Sequence, residues 1–140
     1  MMLTTKGRYA VMALADIAIH SKNGPVRLAE VADRQNIALG YLEQIFAKLK
    51  SLSVVKALRG PNGGYILNID ASTIKISQII DAVDEEIKIT RCSDKDNGCV
   101  NKSVKCITHD LWHGLGSAIR HYLEDISIDD VIRGQVKDAG

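Results

Sequence analysis

Apolar residues recur at helical spacing along most of this chain. Residues 9–19 are apolar almost throughout and predict a buried core helix, which Asn-Gly-Pro at residues 23–25 would end. Two short amphipathic segments follow, separated by a break at residues 36–39. Two short helices joined by a tight turn are typical of a helix-turn-helix, although some helix pairs with this pattern only pack in a core. The apolar positions of the two segments are Leu28, Val31 and Ala32, then Leu42, Ile45, Phe46 and Leu49.

A hairpin pattern comes next. Residues 54–58 and 65–67 predict two strands, joined by the dense turn signal of residues 59–64, RGPNGG. A hairpin directly after a helix-turn-helix is the layout of a winged helix. Arg59 would lie at the tip of this wing, beside glycines that let the backbone approach another surface closely, and the negative potential of a narrow minor groove attracts an inserted arginine. The pattern therefore favours DNA binding over a plain hairpin with a solvated arginine.

The second half of the chain predicts one short and one long helix. Residues 76–83 form a short amphipathic segment, and an acidic cluster follows at residues 84–86. After a polar, aperiodic stretch at residues 90–108, one apolar stripe continues for more than four turns. A long helix at the end of a small DNA-binding domain favours dimerisation over closure of its own core, because dimers bind two half-sites. The stripe consists of Leu111, Leu115, Ala118, Ile119, Tyr122 and Ile126.

Charge and composition narrow the function classes. Residues 1–70 carry nine Lys/Arg against five Asp/Glu, whereas residues 71–140 carry nine against twelve, so the first half favours a polyanionic partner. No apolar run approaches the roughly 20 residues of a membrane span, and the start lacks the order of a secretory signal. We therefore expect a cytoplasmic protein with no membrane partner. We also expect no enzyme, since a phosphate loop, a nucleophile elbow and a paired acid/base constellation are all missing from the sequence.

Three cysteines and a histidine lie within one polar stretch: Cys92, Cys99, Cys106 and His109. An odd number of cysteines without an export signal argues against a disulfide framework. The clustering favours metal or cluster ligation over core cysteines or a metal-free redox switch. Three cysteines and a histidine suit structural zinc, but the six-residue gaps are wider than the close pairs typical of zinc sites. A [2Fe–2S] cluster needs four ligands and could be wrapped by an evenly spaced loop. Spacing alone leaves both open, and His109 could also be a plain helix-start residue.

These features predict a mainly α fold with a small β-hairpin: a winged helix-turn-helix plus a long C-terminal dimerisation helix. We expect one structural domain. The DNA-binding region would span residues 1–84 and the ligand-bearing loop residues 85–108. The dimerisation helix and C-terminal segment would span residues 109–133, and a tail would follow at residues 134–140.

Over nearly its whole length the chain resembles the IscR-type regulators, winged-helix iron–sulfur sensors of bacteria. The resemblance rests on LTTKGRYAV (3–11), YLEQIF (41–46), RGPNGGY (59–65), A-V-D-E (82–85) and the RC…C…C-x2-H pattern (91–109). It implies a homodimer that binds double-stranded promoter DNA. It also implies a [2Fe–2S] cluster, with the cluster-assembly machinery as donor.

The resemblance further implies that Cys92, Cys99, Cys106 and His109 hold the cluster. Cluster occupancy would select the promoters that are repressed or activated, including those of cluster-assembly genes. Some relatives that share the fold use an acidic ligand near the chain start, where Arg8 stands here. Family loops commonly space the cysteines by five residues rather than six. The alternatives are a zinc-stapled or nitric-oxide-responsive regulator of the same fold and an iron–sulfur electron-transfer protein.

DNA contacts are implied residue by residue. Tyr41, Glu43 and Gln44 would face the major groove, where Gln can pair with adenine and Glu can accept from cytosine. A carboxylate near phosphates costs affinity unless it finds a donor, so Glu43 would penalise wrong sites. Gly40 stands where relatives often carry a polar side chain. The remaining contacts would be Thr4 and Lys6 at phosphates, Arg59 in the minor groove, and Gly60, Pro61, Gly63 and Gly64 in the wing.

Overall fold

The computed structural model of the protein describes residues 5–83 and 106–138. These residues form six α-helices, two 3₁₀ turns and one two-stranded sheet. The helices are α1 (Thr5–His20), α2 (Leu28–Gln35), α3 (Leu39–Ser51), α4 (Ile76–Ala82), α5 (His109–Asp125) and α6 (Ile128–Ile132). The strands are β1 (Val55–Leu58) and β2 (Gly64–Leu67), and the 3₁₀ turns are Ser21–Asn23 and Ala71–Thr73. The prediction of a mainly α fold with a small hairpin is confirmed.

Helix α1 is the centre of the core. Its face of Ala10, Ala13, Leu14 and Ile17 is fully buried, and the helix packs against α2, α3, α4 and α6. The small alanines let neighbouring helices approach closely, while each fully buried leucine or isoleucine contributes about 1.5–3 kcal/mol. The apolar run at residues 9–19 therefore forms the core helix that its composition predicts.

Helices α2 and α3 form the helix-turn-helix. Asn36 ends α2 in the left-handed conformation (φ 54°), which asparagine tolerates better than most residues. Its backbone N–H donates to the Ala32 carbonyl, and α3 begins three residues later. The apolar face predicted for α3 is confirmed, since all four of its members are fully buried: Leu42, Ile45, Phe46 and Leu49.

The wing is an antiparallel hairpin with the register Val55↔Leu67 to Leu58↔Gly64. A further bridge between Val26 and Tyr65 ties it to the segment before α2. Phe46 of α3 lies under the hairpin, with its ring centroid 5.1 Å from that of Tyr65. The hairpin thus has one face on the core and its tip beside the helix-turn-helix.

A short backbone pairing joins the start of α4 to the residues that follow α5. The Ile76 N–H donates to the Ile126 carbonyl and the Ile128 N–H donates to the Ile74 carbonyl, both at 2.9 Å. The prediction that Ile126 continues the helical stripe is wrong, because α5 ends at Asp125 and Ile126 is a buried, extended residue. Helix α6, which the sequence pattern did not predict, starts at a reciprocal cap between Ser127 and Asp130.

Among the described residues no helix is both long enough and apolar enough to span a bilayer.

Candidate nucleic-acid interface and cluster ligands

The solvent face of α3 lies opposite its buried face. Glu43 and Gln44 are both exposed there, with Gly40 and Ala47 one turn away on either side. Glutamine and glutamate side chains on an exposed recognition helix can reach base edges in a major groove. Both side chains are therefore accessible on the outer face of α3, and their contact with DNA stays a prediction.

Tyr41 has a different environment from Glu43 and Gln44. Its ring is half-buried against the core and packs edge-on against Tyr9 of α1, with centroids 5.7 Å apart and planes at 77°. This contact joins the start of α3 to the first turns of α1, where Lys6 is also half-buried. Thr4, the other predicted phosphate contact, lies outside the described residues.

The wing presents Arg59 at the start of its loop. Arg59, Gly60 and Pro61 are exposed, and Gly60 has a φ of 111° that favours glycine. Gly63 and Gly64 have a structural reason to be glycine. A β-carbon on Gly63 would collide with the Leu58 carbonyl, and one on Gly64 would lie 2.6 Å from the Val26 carbonyl oxygen. These two glycines close the hairpin and dock it on the segment before α2.

A buried ionic contact that sequence reasoning missed orients the helix-turn-helix. The Asp16 carboxylate of α1 accepts hydrogen bonds from Arg34 Nε (2.9 Å) and Nη2 (2.7 Å) and from Gln35 Nε2 (2.9 Å). Burial alone would raise the pKa of Asp16, but the hydrogen bonds and the Arg34 charge outweigh it, so the pKa is lowered. The sequence feature that could have indicated this contact is an aspartate inside an eleven-residue apolar run, residues 9–19.

Two of the four predicted cluster ligands are described, and the structure brings them to one helix end. Cys106 precedes α5, His109 begins it, and the His109 N–H donates to the Cys106 carbonyl at 3.0 Å. The Cys106 thiol lies 3.7 Å from the Thr108 hydroxyl. Cys92 and Cys99 lie outside the described residues. A thiolate and an imidazole one turn apart are a donor pair that fits either zinc or an iron–sulfur cluster.

The imidazole of His109 has a second imidazole beside it. The ring of His113, to which the sequence prediction gave no role, stacks on it one turn further along α5, with centroids 6.0 Å apart and planes at 13°. Within residues 5–83 and 106–138, no three or more His, Cys, Asp and Glu side chains are grouped so that they could hold a metal ion. The predicted ligand set would be completed only by residues beyond these ranges.

The large apolar side chains of α5 lie in two environments. At the C-terminal end, Tyr122 and Leu123 pack against the core. Toward the start, Leu111, Trp112 and Leu115 are 61%, 40% and 41% exposed. None of the seventeen residues of α5 is fully buried. The N-terminal half of the helix thus has an apolar surface that the rest of the described chain does not cover.

An ion pair fixes α5 on α4. The Arg120 guanidinium donates to both oxygens of Asp81 at 2.8 and 2.6 Å and to Glu124 at 3.2 Å. The hydrogen bond from Arg120 lowers the pKa of Asp81, and the same contact raises the pKa of Arg120. Asp81 lies close to the end of α4, so this pair stands near the point where the chain enters the loop predicted at residues 85–108.

Comparison with known proteins agrees with this geometry. Residues 3–134 match the model of the Rrf2 family, described as iron-dependent transcriptional regulators. The chain belongs to the Rrf2 family. A protein designated ORF2 of Azotobacter vinelandii is 49% identical over 99% of this chain and 84% of its own length. The HTH-type transcriptional regulator IscR of Xenorhabdus nematophila is 46% identical over 96% and 81%.

Solved structures of Rrf2-type regulators have the same architecture. IscR of T. potens superposes with a TM-score of 0.78 at 31% identity, covering 96% of this chain and 88% of its own. CymR, the global cysteine regulator of B. subtilis, superposes with a TM-score of 0.80 at 25% identity, covering 99% of each chain. The winged-helix prediction is therefore confirmed. This Rrf2-family chain is a DNA-binding transcriptional regulator of the IscR type, and its relatives are regulators rather than enzymes.

Proposed function

We propose that this Rrf2-family regulator is a homodimer whose choice of promoter is controlled by a [2Fe–2S] cluster, and that it regulates cluster-assembly genes. The cluster ligands would be Cys92, Cys99, Cys106 and His109. The observation that carries the proposal is the backbone hydrogen bond from the His109 N–H to the Cys106 carbonyl at the start of α5, in a chain 46% identical to an IscR over most of its length. We place the protein in the cytoplasm, with the cluster-assembly machinery as donor.

DNA recognition would use two surfaces on each protomer. The exposed side of α3 would enter the major groove with Glu43 and Gln44, and Tyr41 would contact DNA at its margin. Arg59 would enter the adjacent minor groove, with Gly60, Pro61, Gly63 and Gly64 shaping the wing around it. Thr4 and Lys6 would contact phosphates near the start of α1, where a helix N-terminus favours negative charge.

The dimer contact would be made by α5. Three large apolar side chains are exposed on its N-terminal half: Leu111, Trp112 and Leu115. A second copy of the same helix would cover them across a two-fold axis, and a symmetric dimer matches the two half-sites of a palindromic operator. The same helix begins at His109, so cluster ligation and dimerisation would share one element.

The proposed cluster loop, residues 85–108, lies in the chain between the DNA-binding region and the proposed dimerisation helix. It connects α4, which packs on α1 of the DNA-reading body, to α5. When bound, the cluster would supply a redox-active group. Oxygen, nitric oxide or a shortage of iron would lower the fraction of protein that carries it. We divide the chain accordingly: DNA-binding region 1–84, cluster loop 85–108, dimerisation helix and C-terminal segment 109–133, and tail 134–140.

The cluster is tested by anaerobic purification. We expect a brown protein with visible sulfur-to-iron charge-transfer absorbance, and with two irons and two acid-labile sulfides per chain. Cys106→Ala should lose this absorbance. His113→Ala is the matched control because its imidazole stacks on that of His109 and is not a proposed ligand; it should keep the cluster. A colourless wild-type protein with one zinc per chain would contradict the cluster and leave a zinc-stapled regulator of the same fold.

The DNA-reading residues are tested by operator affinity at fixed salt. Gln44→Ala should weaken binding by about tenfold or more, since a bidentate base contact is worth about 1–3 kcal/mol. Glu43→Ala should relax discrimination between site classes without abolishing binding. Lys137→Ala, in the exposed C-terminal segment, is the control. Unchanged binding in both Gln44→Ala and Arg59→Ala would contradict this interface and favour the electron-transfer alternative.

A further inference from the structure

The wing needs support beyond its own two strands. Each strand has only four residues, and the loop between them contains Gly60, at φ 111° with open space around its α-carbon. Glycine in such a loop permits many backbone conformations. Within the loop the Gly63 N–H donates to the Gly60 carbonyl at 2.9 Å, so the direction in which Arg59 points depends on this bond and on contacts from outside the hairpin.

The base of the wing is held by backbone pairing to the segment before α2. The Val26 N–H donates to the Tyr65 carbonyl at 3.0 Å, and the Tyr65 N–H donates to the Val26 carbonyl at 2.7 Å. Gly64 lies directly against Val26, with no room for a β-carbon. This pairing fixes β2 but does not reach the loop tip.

The next residue along the chain reaches the tip. Arg27 is exposed, stands at the N-cap position of α2, and donates a hydrogen bond from Nη2 to the Pro61 carbonyl. Arg27 belongs to the helix-turn-helix, whereas Pro61 lies two residues from Arg59 in the wing loop. The guanidinium side chain also lines the cleft between α2 and the wing, together with Glu30, Asn62 and Gly63. One side chain thus spans the gap between the two DNA-reading parts.

We propose that Arg27 is a positioning residue for DNA recognition. By holding the Pro61 carbonyl it fixes the wing tip relative to α2 and α3, so that Arg59 is in place for the minor groove when α3 lies in the major groove. This inference rests on the proposed minor-groove role of Arg59. The rival role for an exposed arginine at a helix start is a direct phosphate contact, which would make Arg27 independent of the wing.

Salt dependence and a double-mutant cycle separate the two roles. A substitution that removes a direct phosphate contact lowers the slope of log affinity against log salt by about one, whereas a substitution that removes only a positioning hydrogen bond leaves the slope unchanged. A residue that acts through Arg59 has its effect only while Arg59 is present, so the two substitutions are not additive.

The experiment measures operator affinity over a salt series for Arg27→Ala, Arg27→Lys, Arg59→Ala and the double variant. Arg27→Ala should bind about fivefold more weakly than wild type, the size expected when one hydrogen bond is removed, with an unchanged salt slope. In the Arg59→Ala background the same change should cost less than about 1.5-fold. Arg27→Lys, which can still donate to the carbonyl, should recover part of the affinity. Lys22→Ala, which removes an exposed positive charge from the turn before α2, is the matched charge control.

A second measurement, NMR of the protein without DNA, accompanies the affinity experiment. Backbone amide NMR signals of Gly60, Asn62 and Gly63 should shift or broaden in Arg27→Ala and stay in place in Lys22→Ala, with unchanged thermal unfolding of both. An additive effect in the double variant, or a salt slope reduced by about one, would overturn the proposal in favour of a phosphate contact. Unchanged affinity and unchanged wing-tip signals in Arg27→Ala would also overturn it. If Arg59→Ala alone leaves affinity unchanged, the minor-groove proposal fails, and the NMR signals decide separately whether Arg27 holds the tip.

Discussion

Helices α1 and α5 have nearly the same length, 16 and 17 residues, and opposite environments. Seven residues of α1 are buried, whereas none of α5 is. Helix α1 uses small apolar side chains to let four helices pack around it, and α5 keeps large ones, such as Trp112, at the surface. An apolar run predicts the first helix and an apolar stripe predicts the second, but neither pattern says what covers the apolar face. In α1 the chain covers itself, while in α5 we propose that a second copy does.

The largest expected effect is a loss of folding stability when a side chain on the buried face of α1 is shortened. Leu14→Ala should lower the free energy of unfolding by about 3 kcal/mol, because Leu14 is fully buried and the substitution leaves a cavity. The matched variant, Leu115→Ala in α5, should cost less than about 1 kcal/mol under dilute, monomeric conditions, since its partial exposure leaves little transfer energy to lose. Urea unfolding of both variants measures the difference. Equal losses of stability would contradict the contrast between the two helices.

The ion pairs of the two helices should differ in the same direction. Arg34→Ala leaves the buried Asp16 carboxylate with Gln35 as its only remaining side-chain donor among those the structure describes, so it should cost about 2–3 kcal/mol of unfolding free energy. Arg120→Ala breaks a contact with Asp81 in which both side chains are nearly half exposed, and should cost at most about 1 kcal/mol. Chemical denaturation at pH 7 compares them. A larger loss of stability in Arg120→Ala would show that the α4–α5 contact contributes more to the free energy of unfolding than the α1–α2 contact does.

The apolar surface of α5 predicts a dimer that a single charge can disrupt. Leu111→Asp should raise the dimer dissociation constant by about 30-fold, the scale of an interface hot spot. Ser117→Asp, on the opposite side of the same helix, should leave it unchanged. Analytical ultracentrifugation over a concentration series measures both. A wild-type chain that stays monomeric at all concentrations would remove the proposed role of α5.

The smallest effect concerns pH. The lowered pKa of Asp16 means that its carboxylate contributes stability above its usual pKa of 3.8, and that this contribution is lost as pH falls through the lowered value. Wild-type stability should therefore decline below about pH 4 more steeply than that of Asp16→Asn, which has no carboxylate to protonate at this site. Urea unfolding from pH 6 to acid measures the two slopes. Parallel acid dependence would show that other carboxylates control acid unfolding.

Local patterns predicted much of this structure, and distant contacts explain the rest. The buried face of α3, the exposed positions of Glu43 and Gln44 and the hairpin follow from periodicity and turn residues. The end of α5 at Asp125 could not be predicted locally, because Ile126 is drawn into pairing with a segment fifty residues earlier. The partners of Asp16 lie eighteen and nineteen residues away for the same kind of reason.

In the candidate site, too, some features follow from the local sequence and others depend on distant contacts. Exposure of Arg59 follows from its place in a turn, whereas the packing of Tyr41 on Tyr9 depends on how α1 and α3 meet in space. The hydrogen bond from Arg27 to the Pro61 carbonyl joins residues 34 positions apart, and no local pattern predicts it. The closeness of Cys106 and His109 along the chain follows from their spacing, since Cys106 lies three residues before the start of α5 at His109, whereas their role as ligands stays a prediction.

The DNA affinity of the anaerobic protein, with and without its cluster, tests most directly whether the cluster sets the choice of promoter. It would be measured at fixed salt on a cluster-assembly promoter and on a second class of site. Removing the cluster should weaken binding to the first promoter by at least about fivefold, the lower end of a typical coupling between two sites, and leave binding to the second unchanged. Equal affinities of the two forms at both sites would contradict a regulator whose choice of promoter is set by its cluster.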